Sequence, residues 1–212
     1  DVRAMVAAAD ALGLPRPFHL LGHSMGGAIG LRAVIEGLEV GAAAFSAPMW
    51  GIVISPMMRP IAWAVTGAAG PIGLGHRFAP GTEPQTYVLA AGFEGNKLTG
   101  DREMYAFMQR QLRAAPDLAL GGPSLSWLHE ALRECRALRA MRYPAIPCYC
   151  AVGGLERIID TAAVTSVMAR WPGGGCETYE GAEHELLMEA PAFRCRFFDA
   201  AVRTFDGQPY ER

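Results

Sequence analysis

The sequence predicts an α/β protein, with a mostly parallel sheet flanked by helices, and three observations support this fold class. Short apolar runs of strand length alternate with stretches in which apolar residues recur at helical spacing. The chain of 212 residues is long enough for one well-cored domain that carries an insertion. Its 51% apolar and 19% charged residues are ordinary for a globular protein. Strands that alternate with helices form parallel sheets covered on both faces.

The order of the elements follows from the spacing of apolar residues. The first predicted helix covers Val2 to Leu12, and the apolar stretch Pro15 to Leu21 predicts a strand. A helix that starts at once follows at Ala28 to Leu38. The later elements are predicted strands at residues 42–47, 145–152 and 176–179 and predicted helices at residues 161–170 and 190–205.

Nearly a hundred residues separate the second predicted strand from the third, far more than a crossover needs. The first half of this segment, residues 48–95, is rich in Gly, Pro, Met and Trp. Two helices are predicted in its second half, on apolar stripes at residues 104–112 and 125–138, with Ser124 as the N-cap of the latter. We therefore predict a core of residues 1–49 and 143–212 and an inserted cap of residues 50–142.

Composition and charge exclude several classes of function. A formal net charge of −2 gives no basic surface for nucleic acid. The five cysteines are an odd number without paired metal-ligand spacing, so we expect reduced thiols, a cytoplasmic protein and no bound metal or cofactor. No apolar run reaches the ~18 residues of a membrane-spanning helix. No obligate protein partner is evident from the sequence.

Residues Gly22 to Gly26 read Gly-His-Ser-Met-Gly, which fits the nucleophile-elbow pattern G-x-S-x-G with a strand before it and a helix after it. The serine of such a turn has a strained backbone, and we expect the glycines two positions away on either side to have no room for a side chain. The helix that follows directs its first amides at the site, so the Met25 N–H is predicted to bind an oxyanion. Ser24 is therefore predicted to be a nucleophile rather than part of a structural Gly/Ser turn.

A serine nucleophile needs a histidine base that an acid holds in one tautomer, and after such an elbow the chain order is Ser, acid, His. His184 lies between the last predicted strand and the final helix, so it is the predicted base. The other histidines fit this role less well, because they lie inside a predicted strand (His19), beside the serine (His23) or in the predicted cap (His76 and His129).

Two carboxylates compete for the role of the acid in the turn after the strand at residues 145–152. Glu156 is the first carboxylate of this turn and Asp160 is the second. Asp160 also fits the N-cap of the following helix, whereas Glu156 also fits a solvated loop charge. We favour Glu156, and Asp160 stays the alternative acid.

Three motifs together resemble the bacterial lysophospholipase L2 and monoacylglycerol lipase group of α/β-hydrolases. They are Gly-His-Ser-Met-Gly-Gly at residues 22–27, Gly-Gly-Leu-Glu-Arg-Ile-Ile-Asp at 153–160 and Gly-Ala-Glu-His-Glu-Leu-Leu-Met-Glu at 181–189. Residues 96–102 and 122–128 are similar to the lysophospholipase branch. The resemblance implies an α/β-hydrolase fold with Ser24 as nucleophile, His184 as base and Met25 as an oxyanion donor. The acid position falls on Glu156, where the group has Asp.

The resemblance implies a serine hydrolase that cleaves the carboxylic ester of a lysophospholipid or monoacylglycerol through an acyl-enzyme. A small-ester hydrolase, and a non-catalytic or poorly active fragment, stay open as alternatives. The expected partner is a small ester or lipid, and peripheral contact with lipid of the inner membrane stays open. Apolar side chains of the insertion fit either an acyl-chain pocket or a core of the cap. They are Met49, Trp50, Met57, Met58, Trp63, Met104, Phe107 and Met108.

Members of this group begin with several strands before the elbow, and a loop after one of them supplies the second oxyanion donor. The sequence starts at the helix just before the elbow strand. The resemblance therefore implies an N-terminally truncated α/β-hydrolase, in which the elbow strand is an edge of the sheet.

Overall fold

A computed structural model describes residues 1–208, and their four strands form one parallel sheet in the order β1-β2-β3-β4. The strands are β1 (Leu20–His23), β2 (Ala43–Ser46), β3 (Cys148–Gly153) and β4 (Gly174–Tyr179). Among the described residues, the elbow strand β1 lies at one end of this strand order. Helices flank the sheet, so the predicted fold class is confirmed. Residues 209–212 of the predicted core lie outside the described part of the chain.

Six of the eight helices within residues 1–208 lie within about three residues of the predicted positions, and α3 and α4 were not predicted. They are α1 (Val2–Ala11), α2 (Met25–Ile35), α3 (Arg59–Ala69), α4 (Tyr87–Ala90), α5 (Arg102–Ala114), α6 (Leu125–Ala140), α7 (Thr161–Met168) and α8 (Pro191–Phe205). Short 3-10 helices cover Pro116–Leu118 and Leu186–Met188. The Ser124 hydroxyl caps α6 by accepting from the Trp127 N–H, as predicted. Within residues 1–208, no helix has the length and apolar character to cross a membrane.

Alternate residues of the central strands point to two apolar clusters, one on each face of the sheet. On one face, Phe45 and Cys150 pack with residues of α2, α6 and α7. On the other face, Ala44 and Tyr149 pack with Phe197 and other residues of α8. The central strands β2 and β3 are therefore covered on both faces, and the candidate site lies where the carboxyl ends of β1 and β3 meet the same edge of the sheet.

Three details differ from the predictions. β1 begins at Leu20 rather than near Pro15, because neither Pro15 nor Pro17 has an N–H to donate to a strand ladder. His19 therefore lies before the strand and not inside it, and its ring stacks on Phe205 at 4.9 Å. The helix α3 was not predicted in the Gly- and Pro-rich part of the insertion, although Pro60 is compatible with its first turn.

The inserted segment (residues 50–142) contains α3 to α6 and no strand of the sheet. The boundaries of this segment stay a prediction. Residues near both of its ends pack against the sheet in the same apolar cluster as β2 and β3, so no gap in packing marks them. Trp50 is fully buried and its ring contacts Phe45 at 5.0 Å, and Cys135 and Leu138 of α6 belong to the same cluster. Met49 and Trp50 thus contribute to the core rather than to an acyl-chain pocket.

Candidate active site

The elbow (residues 22–27) holds Ser24 in a conformation that L-residues rarely adopt. Ser24 has φ 48° and ψ −120°, and it joins β1 to the first residue of α2. Its N–H donates to the Ser46 carbonyl at 3.1 Å, and its own carbonyl accepts from the N–H groups of Gly27 and Met49 at 2.9 and 2.8 Å. These three hydrogen bonds compensate for the backbone strain, because they fix the turn from β2, from Met49 after β2 and from α2.

The steric restriction on the elbow falls on Gly22 and Gly27 rather than on Gly22 and Gly26. A Cβ at Gly22 would lie 3.0 Å from the Gly27 Cα, and a Cβ at Gly27 would lie 2.6 Å from the Pro48 Cβ. A Cβ at Gly26 would meet no atom within 4 Å. The expectation that both motif glycines lack room is therefore wrong for Gly26, because backbone atoms at the start of α2 crowd Gly22, whereas a Cβ at Gly26 would point into open space.

A continuous chain of hydrogen bonds connects the predicted nucleophile, base and acid. His184 Nε2 lies 3.0 Å from Ser24 Oγ, and His184 Nδ1 lies 2.6 Å from Glu156 Oε2. The side chains of His184 and Glu156 are 4% and 1% exposed, whereas Ser24 is half-buried and so accessible to a substrate. A carboxylate oxygen only accepts, so Nδ1 carries a proton and Nε2 is free to accept the serine proton. This is the arrangement that activates a serine hydroxyl.

Backbone amides hold the Glu156 carboxylate in place. Its Oε1 accepts from the N–H groups of Ile158 and Ile159 at 2.7 and 3.2 Å. Burial alone would raise the pKa of Glu156, but the hydrogen bond from His184, the charge of His184 and these two amides together lower that pKa below its ordinary value. Glu156 is therefore an anion that can orient and stabilise the histidine.

Asp160, the alternative acid, has other partners. Its side chain accepts from the Ala163 N–H at 3.3 Å as the N-cap of α7, and it pairs with Arg59 at 3.2 Å. The structure thus brings Ser24, His184 and Glu156 together and leaves Asp160 in its capping position. Met25 is the first residue of α2, where N–H groups have no partner within the helix. Its position beside Ser24 fits the predicted oxyanion donor.

The histidine loop (residues 182–189) is held by the inserted segment as well as by hydrogen bonds within the loop. The N–H of Glu185 donates to the Leu98 carbonyl at 2.7 Å, and the N–H of His184 donates to the Lys97 carbonyl at 3.4 Å. The backbone of the base is therefore bound to residues 97–98, which lie more than eighty positions away in the chain.

Glu189 is a buried carboxylate that strengthens this attachment, and the sequence did not single it out. It is 1% exposed, and it accepts from the N–H groups of Gly100 and Glu183 at 3.0 and 2.8 Å and from its neighbour Ala190 at 3.2 Å. The Thr99 hydroxyl lies 3.2 Å from its other side. A buried charge is tolerated only when it is hydrogen-bonded in this way. Glu189 is the last residue of the motif at 181–189 that carries His184, and this position was the one sequence feature that could have drawn attention to it.

A second carboxylate–histidine pair lies beside the first. His23 Nε2 is 3.0 Å from Glu185 Oε2, and the rings of His23 and His184 are 5.0 Å apart between centroids. Burial alone would raise the pKa of Glu185, but the contact with His23 and the nearby His184 lower it below its ordinary value. His23 was interpreted as packing beside the nucleophile, and Glu185 was not predicted to have a role.

The sequence matches a known protein family and two curated relatives from bacteria. The model of the family described as "Serine aminopeptidase, S33" matches residues 1–191. The "Probable lysophospholipase L2" of Haemophilus influenzae is 29% identical over 175 residues, which cover 81% of this chain and 54% of that protein. The "Lysophospholipase L2" of Escherichia coli K12 is 32% identical over 214 aligned positions, which cover 90% of this chain and 58% of that protein. The chain thus spans a little more than half the length of these curated relatives.

Solved structures share the fold. A soluble variant of the monoglyceride lipase of Saccharomyces cerevisiae, in complex with a substrate analog, superposes with a TM-score of 0.70 at 18% identity, over 100% of this chain and 68% of the other. The monoacylglycerol lipase of Paleococcus ferrophilus superposes with a TM-score of 0.71 at 17% identity, over 97% of this chain and 73% of the other. The family match over residues 1–191 and these superpositions lead to one conclusion: the chain belongs to the Serine aminopeptidase, S33 family and has the α/β-hydrolase fold.

Proposed function

We propose that the chain is a serine hydrolase that cleaves a carboxylic ester, with Ser24, His184 and Glu156 as its catalytic triad. The observation that carries this proposal is the chain of hydrogen bonds from Ser24 through His184 to Glu156. The relatives named as lysophospholipases support ester hydrolysis. The placement of the serine at the carboxyl end of β1, under the N-terminus of α2, supports it as well.

The proposed reaction proceeds through an acyl-enzyme. Ser24 Oγ attacks the ester carbonyl carbon while its proton moves to His184 Nε2, and Glu156 stabilises the imidazolium that forms. The Met25 N–H stabilises the negative charge that develops on the carbonyl oxygen. His184 then gives its proton to the leaving alcohol. In the second half of the reaction, a water molecule attacks the acyl carbonyl carbon while His184 Nε2 accepts its proton. The bond between the acyl carbon and Ser24 Oγ then breaks, His184 returns the proton to Ser24 Oγ, and the carboxylic acid leaves.

The proposed substrate is the ester of a single long acyl chain, as in a lysophospholipid or monoacylglycerol. The names of the relatives support this class, and so does the apolar surface that the inserted segment exposes. Met57 is 86% exposed, and Met58, Ile61 and Val65 of the same region are 50%, 51% and 45% exposed. Exposed apolar side chains in such a group fit contact with lipid.

The first experiment measures hydrolysis of a short p-nitrophenyl ester and covalent labelling by a fluorophosphonate. We expect turnover and labelling of the unaltered chain, and loss of both in Ser24→Ala with unchanged thermal melting. Ser46→Ala, which removes a buried hydroxyl near the site but leaves Ser24 intact, is the control for labelling. Retention of labelling in Ser24→Ala would exclude Ser24 as the nucleophile.

A second experiment separates the substrate classes. Lysophosphatidyl lipids, monoacylglycerols, the short ester and an aminoacyl p-nitroanilide are compared by kcat/KM under the same conditions. The anilide is included because the family description names an aminopeptidase. We expect the long-chain monoacyl esters to be the best substrates. A preference for the short ester or the anilide would contradict the proposed substrate class without removing Ser24 from the mechanism.

A further inference from the structure

His23 and Glu185 have no part in the triad, yet their side chains meet beside it in an arrangement that suits a cation. His23 Nδ1 lies 3.0 Å from the Ser46 carbonyl oxygen, which can only accept, and 3.2 Å from the Ser46 hydroxyl, which can donate or accept, so the shorter contact favours a proton on Nδ1. In the neutral ring, Nε2 then has a lone pair, and this lone pair lies 3.0 Å from the Glu185 Oε2 carboxylate oxygen. Among the described residues, Nε2 is buried without a hydrogen-bond partner. Two acceptors at this distance repel each other unless a proton or a metal ion lies between them.

His184 supplies a third donor atom to the same place. Ligand atoms of His23, His184 and Glu185 all lie within 4.8 Å of one another. In a tetrahedral zinc site with bonds of about 2.1 Å, neighbouring donors are about 3.4 Å apart. The three side chains must therefore move closer together to bind the ion, and three protein ligands leave the fourth position to water. Two imidazoles and one carboxylate form a ligand set that Zn²⁺ favours and that Mg²⁺, which prefers oxygen, does not.

The surroundings of the two histidines also match those of metal ligands. A histidine that binds a metal through one ring nitrogen commonly donates its other N–H to a carboxylate or a backbone carbonyl, which fixes the tautomer. The Nδ1 of His23 is held by the Ser46 carbonyl and the Nδ1 of His184 by Glu156. Both Nε2 atoms are therefore presented as neutral ligands.

We propose that His23, His184 and Glu185 form a Zn²⁺ site, and that the bound ion reversibly inhibits the hydrolase. Zn²⁺ takes the Nε2 lone pair of His184, which is the lone pair that accepts the Ser24 proton. The ion and the serine proton therefore exclude each other at one atom. The inhibition rests on the proposed function, whereas the binding of Zn²⁺ does not.

Binding is tested by titrating Zn²⁺ into the protein in competition with a chromophoric zinc chelator. The background variant Cys195→Ser removes an exposed thiol that would bind zinc by itself. We expect one ion per chain at this site, and about tenfold or greater weakening by His23→Asn and by Glu185→Gln. Asn retains a donor near the Nδ1 position and removes Nε2. The control is His76→Asn, which removes an exposed histidine outside the cluster and leaves the affinity unchanged.

Inhibition is tested with the short ester. We expect Zn²⁺ to stop hydrolysis, EDTA to restore it and Mg²⁺ to have no effect. Relative to their own zinc-free rates, His23→Asn and Glu185→Gln lose sensitivity to Zn²⁺. Zinc affinity that is unchanged in both variants, each folded by circular dichroism, overturns the site. Tight binding without inhibition overturns the regulatory role. Absence of hydrolysis before any zinc is added contradicts the proposed function instead, and the chelator titration still decides the metal site.

Discussion

The elbow and the histidine loop meet through the hydrogen bond between Ser24 and His184 and through the contact of His23 with Glu185, but different kinds of interaction hold them in place. The elbow depends on its immediate neighbours. Its backbone hydrogen bonds are made with β2, α2 and Met49, and Gly22 is in close contact with Gly27. The histidine loop depends on residues 97–100 of the inserted segment and on the buried Glu189. The elbow is thus held by contacts with adjacent elements, whereas the histidine loop is held by contacts with residues far away in the chain.

This difference determines which changes each half tolerates. A local turn is sensitive to substitutions that alter its own backbone and is insensitive to distant ones. A loop that is positioned through contacts with another part of the chain is sensitive to any change that shifts either surface. Arg157 extends this dependence, because its guanidinium contacts the Asn96 carbonyl at 2.7 Å and the Glu183 carboxylate at 2.6 Å. The acid turn, the histidine loop and the inserted segment are therefore linked together.

The largest effect is expected at Glu156, the proposed acid, which orients His184 of the histidine loop. Glu156→Gln removes the charge that stabilises the imidazolium while retaining the shape, so kcat should fall by about 10³–10⁴-fold. Asp160→Asn should change kcat little, because Asn caps a helix about as well as Asp. Steady-state kinetics with thermal melts of both variants test this prediction. An inverted pattern would identify Asp160 as the acid.

Alanine substitutions at two glycines, one against the histidine loop and one in the elbow, test whether the two halves differ in sensitivity. A Cβ at Gly153, the last residue of β3, would lie 2.2 Å from the Glu183 carbonyl oxygen, so Gly153→Ala must displace the histidine loop. A displacement of about 1 Å reduces activity by roughly 10²-fold. Gly26→Ala, inside the elbow motif but in open space, should retain activity and stabilise α2 by about 0.5–1 kcal/mol. Equal losses of kcat/KM in both variants would contradict the assignment of crowding to Gly153 and not to Gly26.

A smaller effect is expected when the attachment of the histidine loop is weakened. Glu189→Gln places an amide N–H₂ against backbone N–H groups, which costs about 1–3 kcal/mol of unfolding free energy. We expect kcat to decrease about tenfold well below the melting temperature, with KM nearly unchanged, because the base is displaced while the substrate surface is not. Urea unfolding and kinetics measure the two effects separately.

The matched control for Glu189 is Glu130→Gln, which removes only an exposed ion pair with Arg133. It should change neither kcat nor the free energy of unfolding by a measurable amount. A Glu189→Gln variant that is destabilised but retains full kcat would show that Glu189 supports the fold without positioning His184.

The smallest effect concerns a thiol on the elbow side of the core. Cys135 of α6 donates to the Met49 carbonyl at 3.2 Å, and burial raises the pKa of its thiol to about 11. The thiolate is therefore scarce at pH 8, and iodoacetamide should modify the exposed Cys195 well before Cys135. Peptide mapping measures the two rates. Gly153→Ala should leave the Cys135 rate unchanged if the histidine loop moves independently of the elbow.

The two halves also differed in how well the sequence predicted them. Ser24 could be identified because the elbow is a local motif whose backbone dictates its residues, and His184 because chain order limits the position of a base. The error at Gly26 arose because the motif does not indicate which side of the turn is crowded. The start of β1 was placed too early because apolar residues were weighed above the prolines that interrupt the ladder.

Glu189 could not be assigned because its partners are backbone amides, and sequence does not reveal which distant amides converge on one carboxylate. The same limit applies to Gly153, whose contact is with the carbonyl of a loop thirty positions later. The proposed metal ligation by His23 and Glu185 departs from the expectation of no bound metal for a related reason. The two residues are adjacent only because β1 and the histidine loop end at the same edge of the sheet.

The hydrogen bonds between residues 97–100 and the histidine loop have a consequence for recombination between homologues. Exchange of the inserted segment alone would join a foreign segment to a native loop, and the carbonyls of residues 97 and 98 would no longer be placed to receive the N–H groups of residues 184 and 185. Functional chimeras should therefore inherit residues 96–101 and 182–189 from the same parent, although these stretches lie far apart in the gene. The two stretches form one unit of inheritance that crossover points must not separate.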